Sequence, residues 1–235
     1  MALSSLRESH DRVELAGVGN TAVGSLGAVP VLNSWSQSND PMSLPDRERW
    51  DVKYAAKSVP GVVSPDEWLV QCVAGQPPGK ALELACGLGH NAIWLAERGW
   101  RVDAVDVSSV GLALAEELEQ RVVSPTTART TVSWIAADLD EFDPRREAYD
   151  LVVVFRFLDR VRVPRLILQA LRPGGLLVYE TFSRGQMTRA DNHLRSADFT
   201  LAPGELPTLF PELTVVEYEE SDLADRSVAR LVAQR

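Results

Sequence analysis

From residue 80 onward, short apolar runs alternate with helix-like stretches. Ala81–Ala85 is an apolar strand that leads into a glycine-spaced turn, Cys86–His90. Asn91–Arg98 reads as a short helix closed by Gly99. Arg101–Asp106 is a second strand, and Ser108 is placed to cap a helix with Val110, Leu114 and Leu118 on one face. TVSWIAAD (131–138) is a third strand. YDLVVVF (149–155) is a fourth, nearly all apolar, as a central parallel strand is. Arg160–Leu171 is helical in pattern, and PGGLLVYETF (173–182) is a glycine turn followed by a fifth strand. Residues 213–220 and 227–234 alternate like half-buried strands and are close enough to pair as an antiparallel hairpin. Upstream, LPDRERWDVKYAAK from Leu44 predicts a helix with Trp50 and Tyr54 four apart on one face. SPDEWLVQCVAG (64–75) predicts another, with Ser64 as N-cap, Pro65 at the first position and Glu67 completing a capping box.

Strand–helix alternation of this kind predicts an α/β fold, a doubly wound, mostly parallel sheet. Such sheets bind ligands beyond the carboxyl ends of their strands. The informative residues are therefore Cys86–Asn91, Asp106–Val107, Asp138–Leu139, Arg156–Arg160 and those from Thr181 onward. Residues 1–41 differ in texture: Gly, Ser, Asn and small apolar residues without periodicity. They read as a disordered or loosely docked N-terminal extension to a domain of 42–235, with Met42 as a candidate natural start.

Composition narrows the function. The 235 residues suffice for one α/β domain, and the formal net charge is −9. Nucleic-acid binders draw affinity from basic patches, so the acidic balance argues against a nucleic-acid partner. No apolar run reaches the roughly 18 residues a membrane span needs. Cys72 and Cys86 lack metal-type spacing, the three histidines lie far apart, and no metal is expected. Reduced thiols and a cytoplasmic location follow.

The turn raises a choice of cofactor. Ala85-Cys86-Gly87-Leu88-Gly89-His90-Asn91 has two of the three glycines of the dinucleotide fingerprint, with Ala92 at the third place. Glu83, two residues before the turn, can anchor an amino group or the turn's own amides. Gly87 and Gly89 let the backbone approach a cofactor where a Cβ would clash. Asp106, 17 residues beyond Gly89, can accept both ribose hydroxyls. Asp138 can take an adenine amino group, with Ala137 and Leu139 against the ring. Acids after three successive strands suit a cofactor with an amino group and ribose but no phosphates. Each acid alone is otherwise a solvated cap, and each glycine a plain turn.

From about Trp50 onward the chain resembles the class I S-adenosylmethionine-dependent methyltransferases, and within them the tellurite-resistance-type small-molecule branch. RWDVKYA, ALELACGLGHNAIWLAERGWRVDAVDVS, DLVVVFRFLDR, LRPGGLLVYETF and LAPGELPTLF carry the likeness. The resemblance implies a Rossmann-like seven-stranded sheet whose last strand is antiparallel. It implies S-adenosyl-L-methionine as cofactor, lined by Glu83, Gly87, Gly89, Asp106 and Asp138, with Trp50 and Tyr54 on a helix closing over it. Ala85, Asn91, Val107, Leu139 and Phe155 complete the expected cofactor contacts. Ala85 stands where the superfamily has its first glycine, and Asp159 where FLHR would carry histidine.

The expected activity is in-line methyl transfer to a small-molecule acceptor: a thiol, a chalcogen oxyanion, an amine or similar. Arg156 and Arg160 are the candidate anchors for an anionic acceptor. Asp159, Glu180 and His193 are candidate bases, needed only if the acceptor must lose a proton. The polar stretch 182–203 reads as a loop covering the substrate. The alternative is a catalytically inactive cofactor-binding scaffold or regulator with the same fold. A nicotinamide oxidoreductase is disfavoured, because no serine–tyrosine–lysine set is present.

Overall fold

The structure is a computed structural model and describes residues 44–122 and 132–235. The expected N-terminal extension, residues 1–41, lies outside the described residues. In chain order the elements are α1 (Leu44–Ala55), α2 (Glu67–Cys72), β1 (Lys80–Leu84), α3 (His90–Glu97), β2 (Arg101–Asp106), α4 (Ser109–Val122), β3 (Val132–Ala136), β4 (Tyr149–Phe155), α5 (Arg162–Ala170), β5 (Leu171–Phe182), α6 (Glu205–Thr208), β6 (Thr214–Asp222) and β7 (Ser227–Gln234).

The strands form one seven-stranded sheet in the order β3-β2-β1-β4-β5-β7-β6. Pairings across β3, β2, β1, β4 and β5 are parallel, and β7 runs antiparallel to both β5 and β6. The strand order reverses between β1 and β4, so the loops after these two strands diverge and leave a crevice at the carboxyl edge. Helices cover both faces. Leu82, Leu84, Val152 and Val154 pack with Val163, Leu166 and Ile167 of α5 and with Leu206 of α6 on one side. Ala81, Leu151, Val153 and Phe155 pack with Trp68 and Leu69 of α2 and with Ala92 and Leu95 of α3 on the other. Alternate residues of β1 and β4 thus serve opposite cores, which is why both faces of these strands are apolar apart from Glu83 and the strand-start residues Lys80 and Asp150.

Three local expectations change. The N-cap of α2 is Asp66, whose carboxylate accepts from the Trp68 amide at 3.1 Å, and not Ser64. The Ser64 amide is instead drawn 26 residues along the chain to His90. The glycine turn expected before β5 lies inside the strand, which begins at Leu171, and the ladder shifts register between Tyr149 and Leu151 to accommodate it. The helix expected from Arg160 begins at Arg162, because the Asp159 carboxylate accepts from the amides of Val161 (2.8 Å) and Arg162 (2.5 Å). The Ser108 cap is present: its hydroxyl accepts from the Gly111 amide at 3.0 Å. No helix among the described residues is long and apolar enough to cross a membrane.

Candidate functional site

The carboxyl edge of β1 is built around one buried acid. Glu83 belongs to the face covered by α3, and its Oε1 accepts from Asn91 Nδ2 at 3.0 Å. Its Oε2 is buried with no hydrogen-bond partner. A buried carboxylate oxygen without a donor is costly unless a ligand supplies one. Burial pushes the Glu83 carboxyl up to about 8, against the Asn91 and Ala92 hydrogen bonds and the Arg156 charge, which favour ionisation.

The turn that follows has a left-handed backbone in three places. Ala85 (φ 55°), Gly87 (φ 57°) and Gly89 (φ 69°) all have positive φ. Ala85 therefore holds a conformation that favours glycine, and this is steric strain beside the site. The two glycines are explained by the chain itself. A Cβ at Gly87 would meet the Tyr54 hydroxyl at 2.8 Å, and one at Gly89 would meet the Trp134 ring at 2.2 Å. At both positions the expected close approach is that of an aromatic side chain.

Asp106 ties the first two βα turns together. Its Oδ2 accepts from the Gly87 amide (2.8 Å) and its Oδ1 from the Ser108 amide (2.9 Å). Each oxygen keeps a second lone pair for a ligand hydroxyl. Burial raises its carboxyl above the ordinary range, and the two amide bonds pull the other way. Tyr54 is buried over the Gly87 turn and stacks on Trp50, with ring centroids 5.7 Å apart. Helix α1 is held there by Asp51, whose Oδ1 accepts from the Ser108 hydroxyl (2.5 Å) and the Val110 amide (3.3 Å). Burial, then the Asp106 charge, raises the Tyr54 phenol, so it stays protonated.

Asp138 follows β3, and its Oδ1 accepts from the Asp140 amide at 3.0 Å. Burial and the neighbouring charges of Asp138 and Asp159 push the Asp140 carboxyl up to about 6. Val107 and Leu139 are buried, Leu139 within the α5-side core. Phe155 is buried on the other face, edge-on to Trp68 at 6.1 Å, so its ring is a core contact beneath α2.

The acceptor-side candidates separate. Arg156 has a positive φ of 55° immediately after β4 and reaches Asp66 Oδ2 at 3.4 Å. Its side chain is 46% exposed, which leaves donors free beyond the Asp66 contact. Arg160 does not. Its guanidinium bonds Glu205 Oε1 (2.5 Å), Asp198 O (2.8 Å) and Thr200 O (2.8 Å), so it clamps the segment before α6 and cannot also serve as an anchor. Asp159 is engaged in capping α5. Glu180 is fully buried, with Oε1 on Arg226 Nε (3.1 Å) and Oε2 on Arg230 Nε (2.8 Å), the position of a structural counter-ion. His193 is exposed and lies edge-on to Phe182 at 5.3 Å. Stretch 182–203 contains two 3-10 turns and is pinned to the sheet edge. Arg189 donates to Leu223 O (3.0 Å) and Ala224 O (2.8 Å).

Four positions that brace this edge were not singled out from sequence: Asp51, Asp66, Arg226 and Arg230. Asp66 Oδ2 also accepts from Arg226 Nη2 at 3.0 Å, 160 residues away. The only available signal was the even spacing of Arg226 and Arg230, the first just before β7 and the second within it. Among the described residues no cluster of three or more His, Cys, Asp or Glu could hold a metal. A small cavity of about 110 Å³ lined by Trp100, Asp150, Arg172 and Gln234 lies at the opposite, amino edge of the sheet.

Residues 81–175 match the family described as methyltransferase domain. Among curated proteins, the chain is similar to hemagglutinin 1 of Eikenella corrodens, 35% identical over 65% of this chain and 48% of that protein. It is similar to ribosomal RNA small subunit methyltransferase C of Alcanivorax borkumensis, 32% identical over 62% of this chain and 45% of that one. It is also similar to the probable S-adenosyl-L-methionine-dependent methyltransferase TehB of Haemophilus influenzae, 29% identical over 61% and 49%. The crystal structure of TehB from that species covers 80% of this chain and 66% of its own, with a TM-score of 0.58 and 20% identity. The chain thus spans about half the length of the curated relatives it matches.

Proposed function

We infer that this chain, whose residues 81–175 match the methyltransferase domain, is a class I S-adenosylmethionine-dependent methyltransferase that binds S-adenosylmethionine and transfers its methyl group to a small-molecule acceptor. The observation that carries the reading is the unpartnered Glu83 Oε2, buried beside Asn91 and the Asp106-anchored turn. A cofactor ammonium would give that oxygen its missing donor. A cofactor ammonium also favours the ionised form of Glu83 that burial disfavours, whereas a pyrophosphate supplies no donor and meets the Asp106 carboxylate.

Glu83 would hold the amino-acid end, Asp106 the ribose hydroxyls and Asp138 the adenine amino group. Ala85, Gly87, Gly89, Asn91, Val107 and Leu139 would shape the walls. Tyr54 and Trp50 would cover the turn and exclude water. When bound, the cofactor supplies a methyl group already activated by its sulfonium charge. The chain's own work is then alignment of the acceptor, with Arg156 as its anchor. Asp159 and Glu180 are both engaged, which favours an acceptor that needs no proton removed, such as a thiolate or a chalcogen oxyanion. Cys72 and Cys86 are free thiols, in keeping with a reducing cytoplasm.

A second reading takes a ribosomal-RNA acceptor, as the name of one relative suggests. The observation in its favour is the basic run of Arg49 and Lys53 on α1 and Lys57 just beyond it. The net charge of −9 weighs against it.

Calorimetric titration with S-adenosylmethionine, its demethylated product and NADH is the test. Micromolar binding of both sulfur compounds, none of NADH, and turnover of a small thiol, amine or oxyanion is the expected result. Binding without turnover of any acceptor would favour the inactive scaffold, and turnover on ribosomal RNA alone the second reading.

A further inference from the structure

The segment Ser64–Asp66 acts as a template at the mouth of the site. Its Ser64 amide donates to His90 Nδ1 at 3.1 Å. Its Asp66 amide donates to Asn91 Oδ1 at 2.8 Å, and Asp66 Oδ2 accepts from Arg156 at 3.4 Å. One short stretch thereby sets His90 beside Asn91 and brings Arg156 to the same place.

The first of these bonds fixes a tautomer. A neutral imidazole whose Nδ1 accepts a hydrogen bond carries its proton on Nε2. Burial disfavours charging His90, and the charges of Arg156 and Lys57 act on it in the same direction. His90 is thus a neutral ring with one N–H to offer and no free acceptor. It cannot be the missing base without losing its Ser64 bond.

The charges around it are unevenly compensated. Arg226 reaches Asp66, Glu180 and Asp225, and Arg230 reaches Glu180 and Glu219. Arg156 touches only Asp66, at the longest distance in the network, and is far more exposed than Arg226. Lys57 follows α1 with its ammonium 5.3 Å from the centre of the Tyr54 ring. His90 and Arg156 meet at Ser64–Asp66, and Lys57 lies on the Tyr54 ring that stands over the Gly87 turn, so the end of α1, the start of α3 and the end of β4 each bring a donor to this edge. None of the three side chains has an acceptor free to offer.

We propose that His90, Arg156 and Lys57 form an anion-binding subsite and that the methyl acceptor is held there by a small oxyanion group, a carboxylate or a free inorganic oxyanion. His90 is the specificity-determining donor: its fixed Nε2–H reads an acceptor atom, while the two cations supply the charge. That the bound anion is the methyl acceptor rests on the methyltransferase reading; the anion site itself does not.

The test is long-range ¹H–¹⁵N correlation spectroscopy of the full chain labelled at histidine, with His90→Gln assigning the signal. The expected spectrum has a bare, hydrogen-bonded Nδ1 and a protonated Nε2. Millimolar propionate or phosphate should move the Nε2 signal, and propylammonium should not. Arg156→Met or Lys57→Met should cut that response at least fivefold. Propionate acting alone would name a carboxylate, and phosphate acting alone an inorganic oxyanion. A proton on Nδ1, no response to either anion, or an equal response to propylammonium overturns the proposal on the unaltered chain. Calorimetry with S-adenosylhomocysteine separates the two readings. A chain that binds it while His90 ignores the anions loses only the subsite. One that answers the anions but binds no S-adenosylhomocysteine loses only the methyltransferase reading.

Discussion

Asn91 Nδ2 donates to Glu83 Oε1 at 3.0 Å, and the same amide's Oδ1 accepts from the Asp66 backbone at 2.8 Å. One buried side chain therefore joins the acid of β1 to the cap of α2. It satisfies one oxygen of Glu83 and leaves the other open, so the site is pre-shaped around a single missing donor.

That missing donor has a pH signature. Glu83 titrates near 8 in the folded chain and near 4.5 unfolded. Between these values the unfolded chain has released the proton while the folded chain keeps it. Stability from this group is therefore full below about 4.5, falls as pH rises toward 8 and is level above. Urea denaturation from pH 5 to 9 should show wild type losing stability with a slope steeper by about one proton than Glu83→Gln between pH 5 and 7, the two slopes converging above 8. Parallel slopes would mean that Glu83 is ionised in the folded state.

Asp106→Ala should weaken S-adenosylmethionine binding by about 1.5–3 kcal/mol, the range for hydrogen bonds to a charged group. It should also lower stability, since the Gly87 and Ser108 amides lose their acceptor. Asp106→Asn keeps an acceptor for one of these amides and should recover part of the stability but less of the affinity. Calorimetry and denaturant melts read the two effects separately, and unchanged affinity in both variants would remove Asp106 from the ribose site.

The left-handed turn gives a test that runs toward greater stability. Ala85→Gly relieves roughly 1–2 kcal/mol of left-handed strain and gives back part of it as unfolded-chain entropy. The net expectation is a gain of about 1 kcal/mol in a denaturant melt. Gly87→Ala should destabilise instead, because its Cβ meets the Tyr54 hydroxyl at 2.8 Å. Tyr54→Phe in the same chain should restore part of that loss, and strict additivity in the double-mutant cycle would exclude the contact.

The Asp159 carboxylate accepts from the Val161 and Arg162 amides at the start of α5. Asp159→Ala should cost about 0.5–2 kcal/mol of stability. Asp159→Asn should recover most of it and, once an acceptor is in hand, leave the pH profile of kcat unmoved. A profile that loses its acidic limb in Asp159→Asn would return this residue to the role of base.

The strands were legible because periodicity is a local property. YDLVVVF at 149–155 has no polar face, and only a central strand buried on both sides needs that. Glu83, Asp106 and Asp138 were legible because strand ends in a doubly wound sheet fall at one edge. Gly87 and Gly89 were legible as turn residues, but their reason was not. Tyr54 and Trp134, which occupy the space a Cβ would need, lie 33 residues before Gly87 and 45 after Gly89. The α2 cap was misplaced for a related cause: Ser64 and Asp66 are both good caps, and the choice was made by His90 and Asn91.

By itself the sequence determined the order and kind of the elements and the placement of Glu83, Asp106 and Asp138 at the carboxyl edge of the sheet, since each follows from propensity, period and chain direction. Only the tertiary structure decided which charged side chains remain free. Arg156 and Arg160 are four residues apart and chemically alike, yet Arg160 is consumed by Glu205 and two carbonyls from a distant loop, while Arg156 meets one carboxylate at 3.4 Å. Glu180 was indistinguishable from a base until Arg226 and Arg230 closed on it across the β5–β7 pair. A charge is neutralised by whatever the fold brings within a few ångströms, and sequence separation carries no information about that distance.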